Sequence, residues 1–160
     1  MQVPLLVIFL AAGAVTSPPA VSRPLDHHAV SRSSGLDIIP VMIGQSGTQP
    51  YIIRVEVART PLQQQQGLMW RTTLRGNEGM LFQLEKPTIA DFWMKNTLIS
   101  LDLVFIRADH RVSNVAANAV PLLENPLLSS GPVVAVLELK GGRAAQLHIE
   151  PGTLIEWQSD

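Results

Sequence analysis

DFWMKNTLISLDLVFI, running from Asp91 to Ile106, sets two apolar strand-like runs on either side of a polar step, Lys95-Asn96-Thr97. The runs are residues 91–94 and 101–106. Between them the stretch carries Trp93, Met94, Lys95, Asn96 and Asp102: an aromatic platform, a thioether, a cation, an amide and a carboxylate. Apolar runs this short, broken by a polar turn, read as strands of a β domain.

Downstream, Ala108-Asp109-His110 is turn chemistry, which predicts a hairpin of 101–107 with 111–116. Residues 117–132, with Pro121, Asn125, Pro126 and Gly131, read as a long loop of the kind that is often a functional rim. A strand over 133–140 follows. Gly141-Gly142 then leads into a short helix over 143–147, and Pro151-Gly152 turns the chain into a last strand over 153–157.

Upstream, Gly79 opens a strand over 80–84, ended by Glu85-Lys86-Pro87. Tyr51, Ile53, Val55 and Val57 alternate with Arg54 and Glu56, the period of a half-buried strand. After it, Thr60, Pro61 and Gln63 fit an N-cap, an N1 proline and a capping-box partner. The helix they predict, 61–66, stops at Gly67, and its four glutamines read as its exposed face. The expected fold is mainly β, a β-sandwich or partly closed barrel with one or two short helices, in a single domain over 51–160.

What precedes that domain is different in character. Residues 3–15 form an uncharged apolar run with small residues behind it, which fits a signal peptide over 1–17 and is short of a membrane span. Residues 18–50 read as a flexible linker, rich in Pro, Ser and Gly and holding His27-His28 beside Asp26. Within it, residues 37–43 offer an edge strand, because Pro40 argues against a central one.

Composition narrows the function. The chain is 46% hydrophobic, enough for a core, and its net charge is −1 with no basic run. Nucleic-acid binding leans on clustered Lys and Arg, so it is not expected. With no cysteine, disulfides, thiolate metal sites and Cys nucleophiles are excluded. The expected location is periplasmic or secreted, with no membrane attachment after the signal is removed.

VEVARTPLQQQQGLMWR, EGMLF, FWMKNTLISLDLVFI and VLELKGG together resemble the uncharacterised DUF192 family, over Ile53 to about Trp157. The resemblance implies a compact, mostly β domain, frequently secreted, with no assigned activity. Ser100 stands where that family usually has proline, and Thr153 stands where it usually has aspartate.

Polar residues embedded in these apolar motifs are the site candidates: Arg71, Trp93, Lys95, Asn96, Asp102 and Glu138. A charge near a core must be paired or stand at a cleft wall. Together they read as a ligand site for a small polar molecule or glycan fragment stacked on Trp93, with an unidentified protein as the other partner class. The alternatives are a hydrolase using the carboxylates of Asp102 and Glu138, and a Cu(I) site built from Met69, Met80 and Met94. Core packing competes with the last reading, because Met commonly fills gaps in β cores. No G-x-S-x-G and no phosphate loop is present, so a binding protein is favoured over an enzyme and no cofactor is expected. If the export reading holds, N-terminal sequencing of secreted material will find a first residue between Val15 and Ala20; recovery of Met1 would overturn it.

Overall fold

The computed structural model describes residues 29–44 and 49–158. The signal-peptide reading and the His27-His28 pair fall outside the described residues. Eight strands and two short helices follow in the order β1 (Ala29–Val30), β2 (Asp37–Gly44), β3 (Tyr51–Ala58), α1 (Pro61–Gln66), β4 (Glu78–Phe92), β5 (Leu101–Ile106), β6 (Val112–Ala119), β7 (Leu127–Lys140), α2 (Arg143–Gln146) and β8 (Leu154–Trp157). The sheet runs β1-β2-β3-β4-β7-β5-β6, with β8 on the free side of β2. Its ends do not join as a ladder. One bridge, Arg111 to Leu154, and the bond from Val112 N–H to the Thr153 carbonyl, 2.9 Å, draw the start of β6 onto β8. The mainly β fold is therefore a curled, incompletely closed sheet.

Curling leaves two apolar cores. The inner one gathers Val41, Ile43, Val55, Leu81, Val104, Leu137 and Leu139. The outer one, on the opposite face, gathers Ala58, Leu68, Met80, Phe82, Met94, Leu103, Phe105 and Val136. Alternation along β4 explains the division, since Leu81 faces one core while Met80 and Phe82 face the other. What covers the outer face is a consequence of topology. The β3–β4 pair is parallel, and a parallel pair needs a crossover that passes over the sheet. Residues 59–77 make that crossover, and Leu68 and Leu74 bury themselves on the outer face.

Several local expectations are met. Thr60 Oγ1 accepts from the Gln63 N–H at 3.3 Å, while Gln63 Oε1 accepts from the Thr60 N–H at 3.0 Å, so the capping box closes. The β5–β6 hairpin forms, with His110 at φ 60° in its turn. The glutamines of α1 are more than an exposed face, however. Gln64 donates to the Gln83 carbonyl at 2.7 Å and to the Ala58 carbonyl at 3.3 Å, fastening the helix across β3 and β4.

Other expectations are corrected. Residues 37–43 form the strand read within the linker, but β2 is no edge strand: β3 lies on one side, β1 and β8 on the other. Pro40 is tolerated because the second side has a gap there, between Ile38 paired to β1 and Val41 paired to β8. Residues 80–84 and 91–94 are not separate strands. One 15-residue strand, β4, runs through Glu85-Lys86-Pro87, with register shifts absorbing the interruption. The long loop over 117–132 shrinks to residues 120–126, because β6 and β7 both reach further than the turn residues imply.

Gly79 of β4 pairs with Leu139 of β7. A Cβ there would meet the Glu138 carbonyl oxygen at 2.5 Å, so glycine is required by approach distance. Beside it, Phe82 is 1% exposed and meets the edge of Phe92 at 5.1 Å between centroids. Replacing that ring by a methyl group empties the middle of the outer core. Phe82→Ala is expected to destabilise by about 3–5 kcal/mol in denaturant melts; a loss under about 1 kcal/mol would contradict the packing described.

Candidate functional site

Four residues paired across the sheet form one row on its outer face: Glu56 on β3, Met80 on β4, Glu138 on β7 and Leu103 on β5. The next row is wholly apolar, Ala58, Phe82, Val136 and Phe105. Two carboxylates thus flank Met80 under the crossover, in a region where an unpaired charge is costly. They meet that cost differently.

Glu56 is satisfied. Arg71, in the crossover, donates to both its carboxylate oxygens, and Ser31 Oγ and Ser34 Oγ add bonds of 3.0 and 2.7 Å. Burial pushes its carboxyl upward, but the hydrogen bonds from Arg71 and the two serines, with the Arg71 charge, outweigh that and hold it below the usual range. Glu138 is not satisfied. It is 5% exposed, and its Oε2 is the one buried carboxylate oxygen among the described residues without a hydrogen-bond partner. Burial raises its carboxyl from 4.5 to about 8, and the positive charge of Arg71 offsets this only in part. At neutral pH it is mostly protonated, an O–H donor held inside an apolar wall.

Glu138 lines a cleft of about 330 Å³. Phe82, Phe92, Leu68 and Met69 supply apolar wall, and Trp93, Lys95 and Thr97 also line it. Trp93 is 53% exposed, and Lys95 Nζ lies 5.7 Å from its ring centroid. Lys95 has no carboxylate partner among the described residues and makes this cation–π contact instead.

Of the residues read from sequence as ligand-binding, Trp93, Lys95 and Glu138 come together in this cleft. Three do not. Arg71 is committed to Glu56. Asn96 shapes the turn: it sits at φ 56°, where Asn is tolerated, inside a turn closed by Thr97 N–H to the Met94 carbonyl at 3.1 Å. Its amide donates to the Met69 sulfur at 3.7 Å, and its carbonyl accepts from Trp70 N–H at 2.8 Å.

Asp102 lies on the other face altogether. It pairs with Leu139 of the inner core, whereas Glu138 pairs with Leu103 of the outer core. Fully buried, it accepts from the backbone N–H groups of Asn118 (2.7 Å), Gly142 (3.1 Å) and Ala144 (2.7 Å), pinning α2 and the end of β6 to β5. The hydrolase pair Asp102–Glu138 is therefore not assembled, because a sheet separates the two carboxyls. Among the three methionines, Met80 and Met94 are packed inside the outer core at 1% exposure each, and Met69 alone reaches the cleft.

Sequence reasoning missed Glu56, Phe92 and Thr97. Glu56 was hidden by the alternation of β3, which assigns it to a polar face; the crossover covers that face. The serines that complete its shell come from residues 31–34, where nothing in the pattern marks a fixed structure.

The DUF192 family model, described as an uncharacterized ACR, matches residues 41–157. Among solved structures, the chain is similar to a protein of unknown function from Novosphingobium aromaticivorans DSM 12444. That match has 48% identity over 83% of this chain and 94% of the other, at a TM-score of 0.79. A protein of Sinorhizobium meliloti 1021, provisionally called a transcription regulator, matches with 34% identity over 76% and 95% of the two chains, at a TM-score of 0.74. No functionally curated protein matches the chain.

Glu138 makes stability depend on pH in a stated direction. Its folded value, about 8, lies above the unfolded 4.5, so the chain binds more protons folded than unfolded between them. Below that window the carboxyl is neutral in both states and carries no ionisation penalty. Across it each pH unit removes about 1.4 kcal/mol, and above it the loss levels off. Glu138→Gln is expected to lack this slope, its advantage over the wild type growing through the window in urea melts; a constant difference would mean the carboxyl has found a partner.

Proposed function

The chain belongs to the DUF192 family, and from the geometry of its cleft we propose that it is an exported, single-domain binding protein for a small polar ligand or glycan fragment. The observation that carries this is the partnerless, protonated Glu138 carboxyl lining a cleft whose mouth carries an exposed tryptophan. A buried polar group left unsatisfied costs about 1–3 kcal/mol, and a ligand hydroxyl or carbonyl at Oε2 recovers that cost. The indole of Trp93 provides the face for stacking a ring, and Lys95 beside it offers charge at the rim.

Size limits the ligand. A volume of about 330 Å³ stands at the low end of the ~300–1,000 Å³ usual for small-molecule sites. One ring with its substituents fits better than an extended oligomer. The ligand-binding set is reduced to Trp93, Lys95 and Glu138, with Phe82 and Phe92 as wall. Export rests on the apolar run over residues 3–15. No helix among the described residues is long and apolar enough to cross a membrane.

A thermal-shift screen of monosaccharides and small polar metabolites, followed by calorimetry, tests the reading. A ligand of this cleft should lose tenfold or more in affinity, about 1.4 kcal/mol, in Trp93→Ala and again in Glu138→Leu. Hits that bind both variants as tightly as the wild type would remove the cleft from consideration.

A further inference from the structure

On the far side of Arg71 lies a larger groove of about 860 Å³, which shares no lining residue with the Glu138 cleft. Arg32, Arg54, Arg71 and Arg75 line it, together with Trp70. Against these four cations stand two carboxylates, Glu56 and Glu78. Glu56 is occupied by Arg71, and Glu78 reaches Arg75 at 3.6 Å. Arg32 and Arg54 have no carboxylate partner among the described residues. A local excess of two positive charges thus gathers on a chain whose net charge is −1, which focuses an attractive field for anions in the groove.

Trp70 is the second, independent observation. It is 65% exposed, and its backbone sits at φ 65°. A bulky residue in that region is a true outlier, and strain of this kind concentrates at ligand sites. The Trp70 N–H donates to the Asn96 backbone carbonyl at 2.8 Å. The chain therefore bears backbone strain and leaves an indole in water at the same residue, on the border of an arginine-lined groove. Packing gains neither from the strain nor from the exposure.

We propose that this groove is a second binding site, taking a planar ring that carries an oxyanion: Trp70 stacks on the ring while Arg32 and Arg54 hold the phosphate or carboxylate. Guanidinium groups suit both anions, because their donor fork matches two oxygens at once. Arg71 is already fixed by Glu56 and serves as a rigid wall of positive potential. Thr72, Thr73 and Ser33 bring hydroxyl donors to the same groove.

Calorimetry on the full chain with four probes tests this: AMP, 4-hydroxybenzoate, adenosine and inorganic phosphate. At least one of the two anionic rings should bind saturably, tenfold or more tighter than adenosine or phosphate, and more weakly as salt rises. Which of the two binds tighter identifies the anion. Arg54→Gln and Trp70→Gly should each cost tenfold or more, while Trp93→Ala and Glu138→Leu leave the affinity unchanged, which keeps the result separate from the cleft reading. Trp70→Gly should melt at or above the wild-type temperature, because glycine accepts the positive φ freely. The proposal is overturned by absence of binding at millimolar probe, by phosphate binding as tightly as the better-bound anionic ring, by indifference to Arg54→Gln, or by a marked drop in the Trp70→Gly melting temperature.

Discussion

One parallel pairing, β3 against β4, constrains the rest of the molecule. In a sheet whose other pairings are antiparallel among the described residues, it requires residues 59–77 to cross over one face. That crossing turns an exposed sheet surface into a second core and carries α1, Leu68, Leu74 and Arg71 with it. Both depressions described above lie along this crossing segment: the Glu138 cleft at Gln64–Met69, the arginine groove at Trp70–Arg75. Their position follows from chain connectivity. Their chemistry depends on which polar residues the crossing covers.

It covers two carboxylates in one row and treats them unequally. Arg71 reaches both electrostatically but gives its fork to Glu56. Both of its terminal nitrogens donate to Glu56. Glu138 is left to hold its proton. The arginine thus helps hold Glu56 ionised, while burial keeps Glu138 largely neutral against the pull of the same charge. A change at Arg71 would be felt in both depressions.

Much of this architecture was legible in the residues. The capping box of α1, the β5–β6 hairpin, the strand at β8 and the mainly β class all follow from local chemistry that tertiary structure leaves intact. Local chemistry does not reveal register between strands. Asp102 and Glu138 look alike in sequence, each a carboxylate between two leucines. Only the pairing of 102 with 139 and of 103 with 138 shows that they face opposite sides. Pro40 misled for a related reason, since its cost depends on whether a partner stands opposite, and a gap in the ladder stands there. Arg71 was identifiable as important, but its partner Glu56 was concealed by an alternation that ordinarily means solvent.

Energetics separates the three buried carboxyls from ordinary core residues. Asp102 returns its burial cost through three backbone N–H groups, and it ties α2 to the sheet in exchange. Glu56 does so through an arginine and two serines. Glu138 has no comparable return: its neighbours Met80, Phe82, Val136 and Leu103 are apolar, and a leucine there would remove both the desolvation cost and the pH-dependent loss of stability. A carboxyl at this place works against the fold that holds it. Violations of local consistency that the fold itself does not reward concentrate at functional positions. That asymmetry, rather than the shape of the cleft, is the strongest physical reason to place a ligand's polar group at Glu138.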